Sequence, residues 1–168
     1  MQNSRMELSS ELNYFLFDPD LNLLYGVDYW DPDDPDIYHW KAVFKPNGSI
    51  YEDGTFLLEI KFNSDYPNTP PYVHFITKIY HCNINTYNGN VCINTLDNWE
   101  TESKKHKMKM EWLLDSIITL FYKQGPEDAL HYGDIYLNDY DKFVKTAKEW
   151  VLKYANPNDF DKPEKQKI

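Results

Sequence analysis

Cysteine is scarce in this 168-residue chain: only Cys82 and Cys92 occur, too few for the disulfide framework of a small secreted domain. Long apolar runs are missing too. No stretch approaches the roughly 20 apolar residues of a membrane span, and the opening MQNSRMELSSELNYF lacks the apolar segment of a secretory signal. Basic residues are outnumbered, with 17 Lys and Arg against 27 Asp and Glu, for a formal net charge of −10. A nucleic-acid binder needs a basic face to neutralise phosphates, so this balance argues against that class. The one basic run, Lys104, Lys105, His106, Lys107 and Lys109, reads as a solvated loop. These absences lead us to expect a reduced intracellular protein, cytoplasmic or nuclear, with neither membrane nor nucleic acid among its partners.

Metal-binding spacings are absent as well. His74, His81, Cys82 and Cys92 can be assembled on paper into four zinc ligands, yet no C-x-x-C or H-x-x-x-H pair occurs. The string GNG at 89 lacks the G-K-[ST] ending and following helix of a phosphate loop. No metal and no cofactor are therefore expected.

What the chain does have is aromatic surface: 17% of residues, fourteen of them tyrosine, within a 42% apolar and 26% charged composition. The length suits one domain with a full core. Ser4 and Glu7 fit a capping box, and Met6, Leu8, Leu12, Phe15 and Leu16 follow at helical spacing. A first helix is expected over Arg5–Phe17, stopped by Asp18-Pro19. Residues Leu21–Tyr29 and Ile37–Phe44 read as extended, separated by the irregular WDPDDPD. Phe56, Leu58, Ile60 and Phe62 alternate as a strand should, and a short strand is expected over Tyr72–Ile76. Four strands joined by turns suggest an antiparallel meander.

From Thr77 to Glu102 neither period dominates, and irregular stretches of that length are often functional. Helix then returns. Met110, Leu113, Leu114, Ile117, Ile118 and Phe121 form one stripe ended by Gly125-Pro126, and Phe143, Val144, Ala147, Trp150, Val151 and Tyr154 form a second. The expectation is one α+β domain over 1–155: an N-terminal helix, a four-stranded antiparallel meander, an irregular active-site stretch, and central and C-terminal helices. A charged, flexible tail over 156–168 would follow.

The irregular stretch gathers His81, Cys82, Asn83, Asn85, Cys92 and Asn94. A thiolate attacking an activated acyl group yields a thioester, which keeps enough energy to acylate an amine. On its own, however, Cys92 reads first as a buried, inert thiol, the commoner case for a lone cysteine.

Read in order, WKAVFKP (40–46), YEDGTF (51–56), DYPNTPP (65–71), FITKIYHCNI (75–84), GNVCINTL (89–96), Trp99, PEDAL (126–130) and AKEWVLKYA (147–155) resemble the ubiquitin-conjugating enzymes. The resemblance covers about Arg5 to Ala155. It implies that Cys92 takes the C-terminal carboxyl of ubiquitin or a ubiquitin-like modifier from an activating enzyme, as a thioester, and yields it to a lysine of a protein substrate, often with a ubiquitin ligase bound. ATP would be used by the activating enzyme alone. Asn83 matches the asparagine of the family's His-Pro-Asn motif, there to donate to the oxyanion or to hold the loop. His81 matches the motif's histidine, with a structural role. Asp128, in PEDAL, would orient the incoming lysine or cap a helix. Asn94, where many members have an acid, offers a polar contact at most.

Several positions depart from the family pattern. Cys82 replaces the motif proline, which releases a fixed φ and a backbone N–H; its thiol is either packing or an oxidation partner. Glu7 and Glu11 lie on the first helix, where members present a basic face to the activating enzyme. KPNGSIYE, ETESKKHKMKM and Asn68 also differ, which points to altered partners. The competing reading is a non-catalytic family variant that binds ubiquitin or a partner enzyme.

Overall fold

A computed structural model describes residues 2–160, and the tail residues 161–168 expected to be flexible lie outside them. Helix α1 spans Gln2–Phe17, with Ser4, Leu8, Glu11, Leu12 and Phe15 buried at helical spacing. It begins earlier than the capping box predicts. Ser4 lies inside the helix and its hydroxyl meets that of Tyr38 at 3.1 Å. The stripe that faces the core is thus partly polar, which is why apolar counting placed the start late.

The segment expected to be extended from Leu21 is instead helix α2, Pro19–Tyr25. The dipeptide that ends α1 also starts α2. Asp18 accepts from the N–H groups of Asp20 and Leu21 as N-cap, Pro19 fills the first turn, and Gly26 closes the helix at φ 53°. Only Asp28–Tyr29 remains as strand β1.

Strands β2 (His39–Phe44), β3 (Phe56–Lys61) and β4 (Tyr72–Phe75) complete a sheet in the order β1-β2-β3-β4, every pair antiparallel. This is the expected meander. Ala42, Leu58 and Phe75 lie in register, as do Trp40, Ile60 and Val73, and all six are buried. Period-2 alternation therefore sends one face of the sheet into the core. On the other face Glu59 is covered by His39, Lys61 and His74 at 2.7, 3.0 and 3.0 Å.

Short helices α3 (Asn94–Asp97) and α4 (Trp99–Glu102) occupy the end of the stretch expected to be irregular, which leaves Thr77–Ile93 without helix. They are single turns, too short to establish a period in sequence. Trp99 is buried and its indole N–H donates to the Pro67 carbonyl at 2.9 Å. Helix α5 (Lys109–Thr119) buries Met110, Leu113, Leu114 and Ile117. Helix α6 (Gly133–Asn138), not anticipated from sequence, precedes α7 (Tyr140–Tyr154), and Pro157–Phe160 forms a 3-10 turn where a frayed tail was expected. No helix among the described residues is long and apolar enough to cross a membrane.

Just past α5 sits Phe121, buried, with its ring centroid 5.0, 5.7, 5.8 and 6.0 Å from those of Phe56, Tyr51, Phe75 and Phe44 respectively. Each such buried aromatic contributes about 2–3 kcal/mol. That cluster pins residues 120–125 against the sheet.

Two expectations about α1 and the basic run change with the fold. Glu11 points inward: its carboxylate accepts from Tyr66 Oη at 2.6 Å and from the Met110 N–H at 2.7 Å, at the start of α5 where a negative group is favoured. Burial raises its pKa despite those bonds. It belongs to the core and not to a surface that meets a partner. Glu7 pairs with Lys109 at 2.9 Å, Lys105 with Glu102 at 2.7 Å, and His106 stacks on Trp112 at 4.4 Å.

Candidate active site

A small hairpin brings Asn83 and Cys92 side by side. The Cys92 N–H donates to the Asn83 carbonyl at 2.9 Å, Ile84 and Val91 form an antiparallel bridge, and the Asn85 N–H donates to the Asn90 carbonyl at 2.9 Å. The local sequence explains the turn. Asn85 accepts through its side chain from the N–H groups of Tyr87 and Asn88 at 2.9 and 3.2 Å, as Asx residues do. Gly89 then reverses the chain at φ 72°. A Cβ at Gly89 would lie 2.0 Å from the Phe75 carbonyl oxygen, because the turn is docked on β4 by the bond from the Phe75 N–H to the Gly89 carbonyl, 2.9 Å.

The base of the hairpin is held by the segment that Phe121 anchors. His81 is fully buried; its Nδ1 accepts from the Asn83 N–H at 2.9 Å, so Nε2 carries the proton and donates to the Leu120 carbonyl at 2.8 Å. Burial pushes its pKa down to about 4, which keeps it neutral near pH 7. Both nitrogens are spent, so His81 has none left for a metal. His74 points its Nε2 at Glu59 on the far face of the sheet.

Asn83 and Gly125 grip one another. Asn83 Nδ2 donates to the Gly125 carbonyl and the Gly125 N–H donates to Asn83 Oδ1, both at 2.9 Å. This pairing fixes which end of the amide is oxygen and leaves one N–H of the Nδ2 group for another acceptor. Loop support and an available donor are thus compatible in one side chain.

Cys92 is a partly exposed free thiol, whereas Cys82 is a free thiol with no exposed surface. Burial pushes the Cys82 thiol up to about 11, the behaviour of a small apolar packing residue. The Cys92 thiol is also raised, first by burial and then by the carboxylates of Asp97 and Asp128. Asp128 is exposed, at the end of the 3-10 turn Pro126–Asp128 and so not at an N-cap. Asn94 is exposed at the start of α3, where its carbonyl accepts from Asn98.

Sequence reasoning overlooked three residues here. Asp97 supplies a negative group beside Cys92; it lies one helical turn past Asn94, a relation invisible until α3 was known. Gly125 was read only as a helix stop. Gln124 accepts the Cys82 N–H at Oε1, 2.8 Å; the one signal that pointed to it was the donor released by the missing proline.

A model of the family described as ubiquitin-conjugating enzyme matches residues 22–151. The chain is similar to a Schizosaccharomyces pombe (strain 972 / ATCC 24843) protein called ubiquitin-conjugating enzyme E2 1, 38% identical over 133 residues, 77% of this chain. It spans 59% of that relative's length. Among solved structures, a provisionally assigned ubiquitin conjugating enzyme from Plasmodium yoelii superposes with a TM-score of 0.76 at 27% identity, covering 91% of this chain and 96% of that one. A Toxoplasma gondii ubiquitin conjugating enzyme domain gives 0.73 at 27% identity, covering 90% and 99%.

Proposed function

The chain belongs to the ubiquitin-conjugating enzyme family, and on that premise we propose that Cys92 carries ubiquitin or a ubiquitin-like modifier as a thioester. The thiol attacks the carbonyl carbon of the modifier joined to an activating enzyme; a new C–S bond forms and the activating enzyme's thiol leaves. A lysine amine of a protein substrate then attacks the same carbon. The resulting oxyanion collapses, the bond to Cys92 Sγ breaks, an isopeptide forms, and the proton lost by the amine balances the one the thiol regains. A ligase cysteine is the alternative acceptor. ATP is spent by the activating enzyme, so this chain uses no cofactor, and it acts in the cytoplasm or nucleus with a ligase as partner.

The observation that carries this reading is the hairpin that sets Cys92 against Asn83, whose amide is locked by Gly125 with an N–H to spare. That N–H is the donor we assign to the oxyanion. One such donor is worth about 10²–10³ in rate. The raised thiol pKa of Cys92 suits a carrier, since a more basic thiolate leaves more slowly and the acyl group survives until an amine arrives. Asp97 and Asp128, exposed beside the thiol, attract a lysine ammonium and are placed to accept its proton as the amine attacks.

The test incubates the protein with an activating enzyme, ATP and modifier and resolves the products without reductant. A thiol-sensitive adduct is expected that persists in Cys82→Ser and vanishes in Cys92→Ala. No adduct with any modifier would favour a binding module, and loss in Cys82→Ser alone would move the nucleophile to Cys82.

A further inference from the structure

A buried turn that exchanges proline for another residue acquires an N–H that must find an acceptor. At Cys82 the acceptor is Gln124 Oε1 at 2.8 Å. Gln124 is itself buried, and its Nε2 donates to Tyr51 Oη at 2.8 Å, while the Tyr51 hydroxyl donates to the Tyr80 carbonyl at 2.7 Å. The chain of bonds leaves the backbone at residue 80 and returns to it at residue 82. Both Oε1 and Nε2 of the Gln124 amide thereby have a partner within the protein.

Adjacent residues on one segment clamp adjacent residues on the other: Gln124 holds the Cys82 backbone and Gly125 holds the Asn83 side chain. From the far side the Cys82 carbonyl accepts from the N–H groups of Leu130 and His131 at 2.8 and 3.3 Å. A proline ring would restrict φ at 82 without any of this. We propose that Gln124 is a positioning residue for acyl transfer from Cys92, replacing the constraint of a proline by a hydrogen bond that keeps the 82–83 turn in place and Asn83 seated on Gly125. This rests on the roles assigned above to Cys92 and Asn83.

The test is a four-variant cycle of parent, Gln124→Met, Cys82→Pro and the double variant. Each is loaded with modifier, and discharge onto free lysine is followed in a single turnover at saturating lysine; urea unfolding and exchange of the residue 82 amide are measured without modifier. In Gln124→Met the N–H loses its partner. Its Cys92 adduct should form, but discharge should slow about 10-fold, within the range a displaced catalytic group costs. Cys82→Pro, introduced into Gln124→Met, removes the orphaned donor and should restore discharge to within about threefold of the parent. Cys82→Pro alone strands the Gln124 acceptor and should be less stable than the double variant. A Gln124→Met protein that fails to fold while the double variant folds supports the role equally. Unaltered discharge in Gln124→Met, a double variant no faster or no better folded than Gln124→Met, or additive unfolding free energies would overturn it. Failure of the parent to form any adduct defeats the reading of Cys92 instead, and the unfolding cycle and the exchange of the Cys82 amide still judge the hydrogen bond.

Discussion

The backbone N–H of Cys92 is bonded to the carbonyl of Asn83 at 2.9 Å, so the two residues are held as neighbours across the hairpin. Eight residues lie between them in sequence, and the turn at Asn85–Gly89 is what removes that separation. The consequences can be measured at Asn83, Cys92, His81 and Gly89.

Asn83→Ala removes both bonds to Gly125. Each stranded backbone group costs about 1–3 kcal/mol, so urea unfolding should show a loss of at least that size. Discharge of the Cys92 thioester to lysine should fall by about 10²–10³, a far larger effect than on loading. Single-turnover discharge of preloaded protein separates the two steps.

Alkylation of Cys92 by iodoacetamide should rise with pH to an inflection above that of a free cysteine, because burial and two carboxylates disfavour the thiolate. Asp97→Asn and Asp128→Asn should each move the inflection down, Asp97→Asn by more. Cys82, fully buried, should stay unlabelled in the folded protein.

His81 has its pKa lowered to about 4 by burial. The unfolded chain binds a proton at this site below about pH 6.5 while the folded protein does not. Stability is therefore fully present above that pH and is lost as the pH falls toward 4. The slope attributable to one such group is at most about 1.4 kcal/mol per pH unit. His81→Gln should lower stability at neutral pH and flatten the curve between pH 6.5 and 4 by up to that amount, read from urea midpoints across the range.

Gly89→Ala places a methyl 2.0 Å from the Phe75 carbonyl at φ 72°. The backbone conformation alone costs about 1–2 kcal/mol, and the collision adds to it. Unfolding should show the loss, and faster exchange of the Cys92 amide should show that the hairpin has opened.

The strands and long helices were legible where the pattern was local and apolar. Phe56, Leu58 and Ile60 alternate because one face of β3 is buried, and the α5 stripe repeats because one side of a helix meets the sheet. Reading failed where a polar residue took a core position or a signal had two meanings. Ser4 and Glu11 lie on the buried side of α1 and are invisible to apolar counting. Asp18-Pro19 ends one helix and caps the next, and sequence periodicity registers only the ending. Helices α3 and α6 are too short to develop a period.

From sequence alone came the first helix, the meander, the irregular stretch after it and the two long later helices, because hydrophobic periodicity and turn chemistry act between near neighbours. The resemblance of the chain's motifs singled out His81, Cys82, Asn83 and Cys92 within that stretch. The tertiary structure decided the rest: that Asn83 leans on Gly125, that Asp97 shares the surroundings of Cys92, that Glu11 faces inward, and that Gln124 receives the N–H released at Cys82. Each is a contact or electrostatic coupling over a distance the chain closes only by folding, between polar groups whose partners are set by which segments the core brings together.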